Sequence, residues 1–320
     1  MYLSVGIAIY NESTRIIRCL NRLRQALIPF EAHLYLCFNG CTDDSREKTE
    51  QWLRENPFAE YHLLQSDKGK TIAQNTIIVH IQQNGHGGDP VVFLDADVWP
   101  EQGCILTLYN QLFRIDHLLA VGALTIPEST YHSVSFYILN VRNLYPLSEV
   151  CMHDVSDYKW YTDEYPQEGL DPAWERKNKI YFHGRCFMLK RAELFSIPAD
   201  TRISDDTYLP NMLHLKYGPG VIRNIFSARV YYKPYESIVQ HWRTYWRIYN
   251  DKRYLDAAYP QFRSIRQYER TVLDLTYIKT LPRCVQVCFM FYRIITRLEQ
   301  LSYRLLPKID ARKIWEYKEK

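Results

Sequence analysis

Two carboxylates one residue apart, Asp95 and Asp97, stand directly after the apolar run Val91-Val92-Phe93-Leu94. So placed, they repel each other unless a cation or a proton compensates. Hard oxygen donors at the end of a strand suit Mg²⁺ or Mn²⁺, which keep several waters and bridge to a pyrophosphate. The plainer alternative is a solvated turn. A second acidic string, Ser204-Asp205-Asp206-Thr207, offers either more carboxylates for chemistry or the N-cap of a helix. Lys68 and Lys70 could touch phosphate, or be ordinary exposed lysines.

An alternation of strands and helices must hold these groups. Leu3 to Ile9 is a short apolar run, the pattern of a strand buried on both faces. Asn11-Glu12-Ser13 offers capping side chains for a helix carrying Ile16, Ile17, Leu20, Leu23 and Leu27, which Pro29 ends. A second strand is expected over His33–Phe38, then a helix to about Glu55, a third strand over Tyr61–Gln65 and a helix over Thr71–Gln82. Val91–Leu94 is the fourth strand. This rhythm predicts an α/β fold, a Rossmann-like, mostly parallel sheet with helices on both faces. Ligands of such sheets bind beyond the carboxyl ends of the strands. The polar clusters at 10–13, 39–45, 67–70 and 95–97 all fall at that edge. Residues 130–180, rich in Tyr, Asp and Pro, read as a long irregular insertion.

Six pieces in order and spacing resemble the family-2 glycosyltransferases of the GT-A fold. They are Val5-Gly6-Ile7-Ala8-Ile9-Tyr10-Asn11-Glu12, Asn39-Gly40-Cys41-Thr42-Asp43, Lys68-Gly69-Lys70-x-x-Ala73-x-Asn75, Leu94-Asp95-Ala96-Asp97, Ser204-Asp205-Asp206-Thr207-x-Leu209 and Gln240-His241-Trp242-Arg243. The resemblance covers residues 1 to about 247. It implies an inverting hexosyl transfer from a UDP- or GDP-linked sugar to a hydroxyl acceptor, saccharide or lipid-linked, in glycan or polysaccharide biosynthesis. Asp97 would coordinate a Mn²⁺ or Mg²⁺ ion on the donor diphosphate, and Asp95 would contact the ribose or the metal shell. Asp206 falls where the family keeps its general base, with Asp205 beside it. Arg243 would grip phosphate oxygens. Ala8, Tyr10, Asn11, Glu12, Asn39, Lys70, Asn75, Ala96 and Gln240 would complete the donor site. Two positions depart from the pattern. Asn39 stands where an Asp often reads the nucleobase, and an amide donates as well as accepts; Thr244 replaces an expected Trp, although Trp242 and Trp246 flank it. The stretch from Tyr231 to Tyr254 can equally be a helix packing aromatics inward. His183-Gly184-Arg185 resembles a segment lining the acceptor side, or holds a core histidine.

The implied organisation is a GT-A catalytic domain over 1–250, with a nucleotide-binding half (1–100), an acceptor half (101–250) carrying the 130–180 insertion, and a helical extension over 251–320. Two other classes compete. A sugar nucleotidyltransferase would carry a G-x-G-T-R loop after the first strand, where this chain has Tyr10-Asn11-Glu12. A glycosyltransferase-like binding protein without catalysis is the other; Asp95, Asp97 and Asp206 argue against it, Asn39 and Thr244 for it.

Composition narrows the setting. A net charge of +4 over 320 residues is mild and does not suggest a nucleic-acid binder, in which basic residues concentrate in a patch. The 26 Tyr and 7 Trp suit interfaces and sugar faces. Eight scattered cysteines without C-x-x-C pairs point to a reducing compartment, with Cys19, Cys37, Cys104 and Cys288 as small core residues. No signal peptide or membrane-length apolar run is legible, so a cytoplasmic protein is expected. Over 281–308, Cys284, Cys288, Phe291, Ile295, Leu298 and Leu305 recur at helical steps, flanked by Arg283, Arg293, Arg297, Arg304 and Lys308. Such a helix either covers the domain or a dimer partner, or makes a peripheral contact with the inner face of a membrane.

Overall fold

The computed structural model describes residues 1–58, 60–128, 133–152, 181–198, 204–218, 220–262 and 270–305. The elements follow as β1 (Tyr2–Ile9), α1 (Ile16–Ala26), β2 (Glu31–Asn39), α2 (Ser45–Glu55), β3 (Glu60–Ser66), α3 (Lys70–Gln83), β4 (Val91–Leu94), β5 (Val98–Pro100), α4 (Cys104–Arg114), β6 (Ala120–Pro127), α5 (Val134–Leu144), β7 (Glu149–Met152), β8 (Cys186–Leu189), α6 (Asp205–Tyr217), β9 (Ile222–Tyr232), α7 (Ile238–Ala258), β10 (Arg270–Leu273), α8 (Leu275–Thr280) and α9 (Arg283–Leu305). By contacts they form two compact units, Met1–Thr125 with Tyr181–Tyr232, and Ile126–Ile180 with Lys233–Lys320.

The first unit is built on an eight-stranded sheet in the order β3-β2-β1-β4-β8-β6-β9-β5. Strands β3, β2, β1 and β4 run parallel, as the alternation of strand and helix requires. β8 then pairs antiparallel with β4 and β6, and β5 antiparallel with β9. The expected sheet with its helices is therefore present, and the four expected strands appear as β1 to β4.

Burial on both faces explains the apolar runs. Leu3, Val5, Ile7 and Ile9 join Leu20 and Leu23 of α1, Trp52 of α2 and Leu108 of α4 in the main core. The other face of β1 meets α3. There a Cβ on Gly6 would lie 2.6 Å from Phe93 Cε1 and 3.1 Å from Ile77 Cγ2, so the close approach of helix, strand and ring depends on glycine. Cys19, Cys37 and Cys104 are core residues as expected, while Cys288 is only half-buried.

One local expectation fails. Asn11, Glu12 and Ser13 do not cap α1 with their side chains; its N-cap is Arg15, without a side-chain cap bond. The Asn11 side chain and the backbone amides of Glu12 and Ser13 instead tie the loop after β1 to the segment after β2.

The second unit is helical, with a two-stranded antiparallel sheet of β7 and β10. The stretch read as irregular contains α5, capped by Ser133, whose Oγ accepts from Phe136 N; residues 153–180 lie outside the described ones. Val141 of α5, Ile278 of α8, and Phe289 and Tyr292 of α9 form one small core. Trp246 of α7 and Tyr303 of α9 form another, with Trp242 and Tyr249 packed against it. Between α7 and α9, His241 Nδ1 lies 2.8 Å from Glu299 Oε1, both buried.

The face of α9 that packs is Phe289, Tyr292, Glu299 and Tyr303. The expected stripe turns largely away from it: Cys284, Phe291, Leu298 and Leu305 are exposed, and Cys288 and Ile295 half-buried. Aromatic residues give the helix a second apolar face, and those make the core. Lys308 lies outside the described residues. Among the described residues no helix is long and apolar enough to cross a membrane.

Candidate active site

In a parallel block the strands deliver their carboxyl ends to one edge, and the turns there carry the polar residues. The turn after β1 includes Asn11 in the left-handed region at φ +50°, a conformation asparagine tolerates better than most. Its side chain bridges to the next turn, with Nδ2 donating to Thr42 Oγ1 (3.1 Å) and Oδ1 accepting from Thr42 N (2.8 Å). Glu12 N donates to Ser45 Oγ, and Ser13 N to Asp43 Oδ2. Burial would raise the Asp43 carboxyl, but the hydrogen bonds from Ser45 and Ser13 outweigh it and hold its pKa below the ordinary value.

Asn39, at the end of β2, is buried and engaged within the protein. Its Nδ2 donates to Ile9 O (3.0 Å) and its Oδ1 faces Gly69 N at 3.5 Å. Asn75 likewise donates to Ile197 O (2.9 Å). Ala8 lies in β1 against Cys37, and Tyr10 carries the Lys68 ammonium 4.8 Å from its ring centroid.

The acids converge on Lys70, the first residue of α3. Its Nζ is 2.6 Å from Asp95 Oδ1 and 3.0 Å from Asp205 Oδ2, and it donates to Gly184 O at 2.8 Å. Burial alone would lower the lysine pKa; Asp205 and Asp95 outweigh it, so it is raised and the ammonium is fixed. Burial pushes the Asp95 carboxyl above its ordinary range, with Asp97 and Asp205 pushing the same way and Lys70 opposing. One turn along α3 from Lys70, Gln74 Nε2 donates to Asp205 Oδ2 at 2.8 Å.

Asp95 and Asp97 flank the buried Ala96 in the tight turn between β4 and β5. Asp97 Oδ2 meets Arg15 Nη1 at 3.3 Å, and Arg15 Nε meets Glu12 Oε2 at 3.2 Å. Asp95 Oδ2 and Asp97 Oδ1 have no polar partner among the described residues, and the two side chains are 25% and 39% exposed. Two carboxylate oxygens thus stay open to an incoming group.

Asp205 and Asp206 occupy the first turn of α6, where negative charge suits the helix dipole. Ser204 is the N-cap but makes no cap bond; its hydroxyl donates to Asp206 Oδ1 instead. Gly184 N donates to Asp206 Oδ2 at 3.3 Å. Asp205 is buried, and Asp206 is the more open of the pair. Gly184 is required for this approach, because a Cβ there would lie 2.8 Å from Asp205 Oδ1 and 3.2 Å from Asp206 Cβ.

The sequence pattern of the family described as Glycosyl transferase family 2 matches residues 4–194, more than half of the chain. The chain belongs to glycosyl transferase family 2. The family match ends before Asp205, so it is the geometry that brings α6 to the same lysine as Asp95. Among relatives, succinoglycan biosynthesis protein ExoA of Rhizobium meliloti (strain 1021) is 24% identical over 139 residues, 43% of this chain and 41% of that protein. The mannosyltransferase PcManGT from Pyrobaculum calidifontis, solved in complex with GDP-Man and Mn²⁺, superposes with a TM-score of 0.53 at 18% identity. That similarity covers 78% of this chain and 62% of the other, and shows the shared GT-A fold. The chain therefore spans less than two thirds of either relative.

Two residues of the family 2 fold expected in the donor and phosphate set belong to the second unit. Gln240 is engaged at the start of α7, where Ser237 Oγ accepts from Gln240 N and Gln240 Oε1 accepts from Glu236 N, a reciprocal capping arrangement. Arg243 is exposed on the same turn. Its neighbours His241 and Trp242 make packing contacts within that unit, Trp242 Nε1 donating to Ser302 Oγ at 2.9 Å.

Sequence reasoning missed Arg15 and Gln74. Gln74 could have been found, since it lies four residues after Lys70 on one helix face. Arg15 lies three residues after Glu12, but nothing local shows its contact with Asp97, 82 residues away.

Proposed function

We propose that this chain transfers a sugar from a nucleotide-sugar donor to a hydroxyl acceptor with inversion, using Asp206 as general base and a divalent ion held at Asp95 and Asp97. The observation that carries this reading is the single ammonium of Lys70 shared by Asp95 of the β4 turn and Asp205 of α6, which makes one site of two acidic segments distant in sequence. The GDP-Man and Mn²⁺ bound by the Pyrobaculum enzyme support the same class of donor and metal.

The residues fit a divalent ion of a particular kind. Among the described residues no three His, Cys, Asp or Glu side chains cluster to hold a metal, so these residues form no closed cage. Asp95 Oδ2 and Asp97 Oδ1 supply one or two hard oxygens, which suits Mg²⁺ or Mn²⁺ completed by water and a donor diphosphate. Such an ion, when bound, offsets the charge that builds on the departing nucleoside diphosphate.

The chain's own groups do the rest. Asp206, oriented by Ser204 and Gly184 N, accepts the proton of the acceptor hydroxyl as that oxygen bonds to the anomeric carbon. The bond from that carbon to the diphosphate breaks as the new one forms, and attack from the opposite face inverts the centre. Lys70 holds the two acidic segments in register. The turn bearing Tyr10, Asn11 and Glu12 walls the donor, with Asn39 bracing it through Ile9 O, while Asn75 secures the segment at Ile197. The acceptor is a saccharide or a lipid-linked saccharide, and the setting is polysaccharide biosynthesis.

Thermal shift over a panel of UDP- and GDP-sugars tests the donor half of this reading. A matching donor with Mn²⁺ raises the apparent stability, since a ligand of the native state stabilises it by mass action. EDTA or Asp97→Asn removes the rise. A donor that stabilises equally in EDTA would take the metal out of the mechanism.

A further inference from the structure

The outward face of α9 is unusual for a water-facing helix. Val287, Phe291, Ile294, Leu298, Leu301 and Leu305 follow one another at steps of four and three residues, and all are exposed, Leu298 by 62% and Leu305 by 78%. At about 100° per residue they form a single stripe. Arg293, Arg297 and Arg304 fall along one flank of it, and Arg283 stands at its start. None of these four arginines has an ion-pair partner among the described residues. The helix's one acid, Glu299, is buried against His241 on the opposite side. The exposed half of this 23-residue helix is therefore apolar and cationic, without a counter-charge.

A stepping of three and four residues also suits a coiled coil, and charge decides between the two. In a coiled coil of two copies, the flanking positions pair opposite charges across the seam. Here one flank carries Met290, Arg297 and Arg304 and the other Cys288, Ile295 and Ser302, so a second copy offers no acid to the arginines. An anionic lipid surface offers both parts of the match, acyl chains for the stripe and headgroup phosphates for the arginines. A cleft of about 400 Å³ beside the stripe has the same character, lined by Leu275, Ile278, Phe289 and Met290 together with Arg293 and Arg297.

We propose that α9 is an interfacial helix by which this protein docks on an anionic lipid bilayer, with Phe291, Ile294, Leu298 and Leu301 entering the acyl boundary and Arg293, Arg297 and Arg304 holding the headgroups. The proposal does not rest on the transfer reaction and stands or falls separately from it.

Vesicle co-sedimentation of the full chain tests it, using phosphatidylcholine vesicles with and without half phosphatidylglycerol. The chain pellets with the anionic vesicles at least about tenfold better than with the neutral ones, and added salt weakens the binding. R293E/R297E and, separately, L298D/L301D each reduce partition at least about tenfold. Both pairs are exposed, and circular dichroism and unfolding midpoints unchanged from the parent establish that the variants fold. Equal binding to neutral vesicles, or no vesicle binding by the folded parent, overturns the proposal. So does a concentration-dependent dimer that L298D/L301D abolishes while vesicle binding persists, for the face then belongs to a second copy.

Discussion

Lys70 Nζ lies 2.6 Å from Asp95 Oδ1, and the same ammonium reaches Asp205 Oδ2 at 3.0 Å. Replacing the lysine by methionine keeps most of its volume and removes the one positive charge between two acids. Because the pair is about a quarter exposed, the loss is about 1–3 kcal/mol, less than for a wholly buried pair. The sign of the pH dependence follows from Asp95, whose pKa is raised in the fold. A carboxyl of that kind favours the folded state at pH below its unfolded value, and the advantage is lost as pH rises through the folded pKa. Without Lys70 that loss is greater, so Lys70→Met is more destabilising at pH 7 than at pH 4. Urea midpoints at the two pH values measure it, and equal deficits would show that the ammonium does not compensate these acids.

Asp206→Asn separates proton transfer from donor binding. The amide keeps the shape and can still meet Gly184 N and Ser204, but it cannot take a proton at neutral pH. Turnover should fall roughly 10²–10⁴-fold with donor affinity unchanged, the mark of an interaction used in the transition state. Full turnover by this variant would retire Asp206 as the base.

Much of the first unit was legible because its signals are local. Val91–Leu94 followed by Asp95 reads as a buried strand that stops, and β4 ends at Leu94. Lys70 was legible as a site residue but not as the bridge between Asp95 and Asp205, since nothing local says where residue 205 will lie. Asn39 and Asn75 were read as donor ligands on their motifs, while the structure engages both amides with backbone carbonyls. The second unit was harder. Helix α5 is hidden in a Tyr- and Pro-rich stretch, and α9 has apolar residues on two faces. Periodicity finds such a stripe but not its direction, because only the packing of Phe289, Tyr292 and Tyr303 tells which face is inside.

Gly184→Ala probes the contact between the β8 approach and α6. The added methyl would come within 2.8 Å of Asp205 Oδ1, so the first turn of α6 must move. A displacement of about 1 Å at a positioned group can lower turnover roughly 10²-fold. Because Lys70 also bonds Gly184 O, the variant should lose both turnover and about 1–3 kcal/mol of stability. Wild-type kcat in Gly184→Ala would mean that Asp206 need not sit where Gly184 holds it.

His241 and Glu299 give the second unit its own test. They pair at 2.8 Å with side chains 0% and 5% exposed, and His241 Nε2 has no hydrogen-bond partner among the described residues, so the imidazole depends on its Nδ1 contact. Tyr245 stacks on the ring at 4.4 Å and Tyr235 meets it edge-on at 5.0 Å, which leaves little room for water to replace a lost carboxylate. Glu299→Ala therefore orphans a buried polar group and costs about 1–3 kcal/mol. Glu299→Gln, which still presents an oxygen, costs less. In a double-mutant cycle with His241→Phe, the second change costs less once the first is made, because the pair acts as a unit. Denaturant unfolding of the four proteins measures the coupling, and strictly additive losses would show that His241 and Glu299 do not act as a pair.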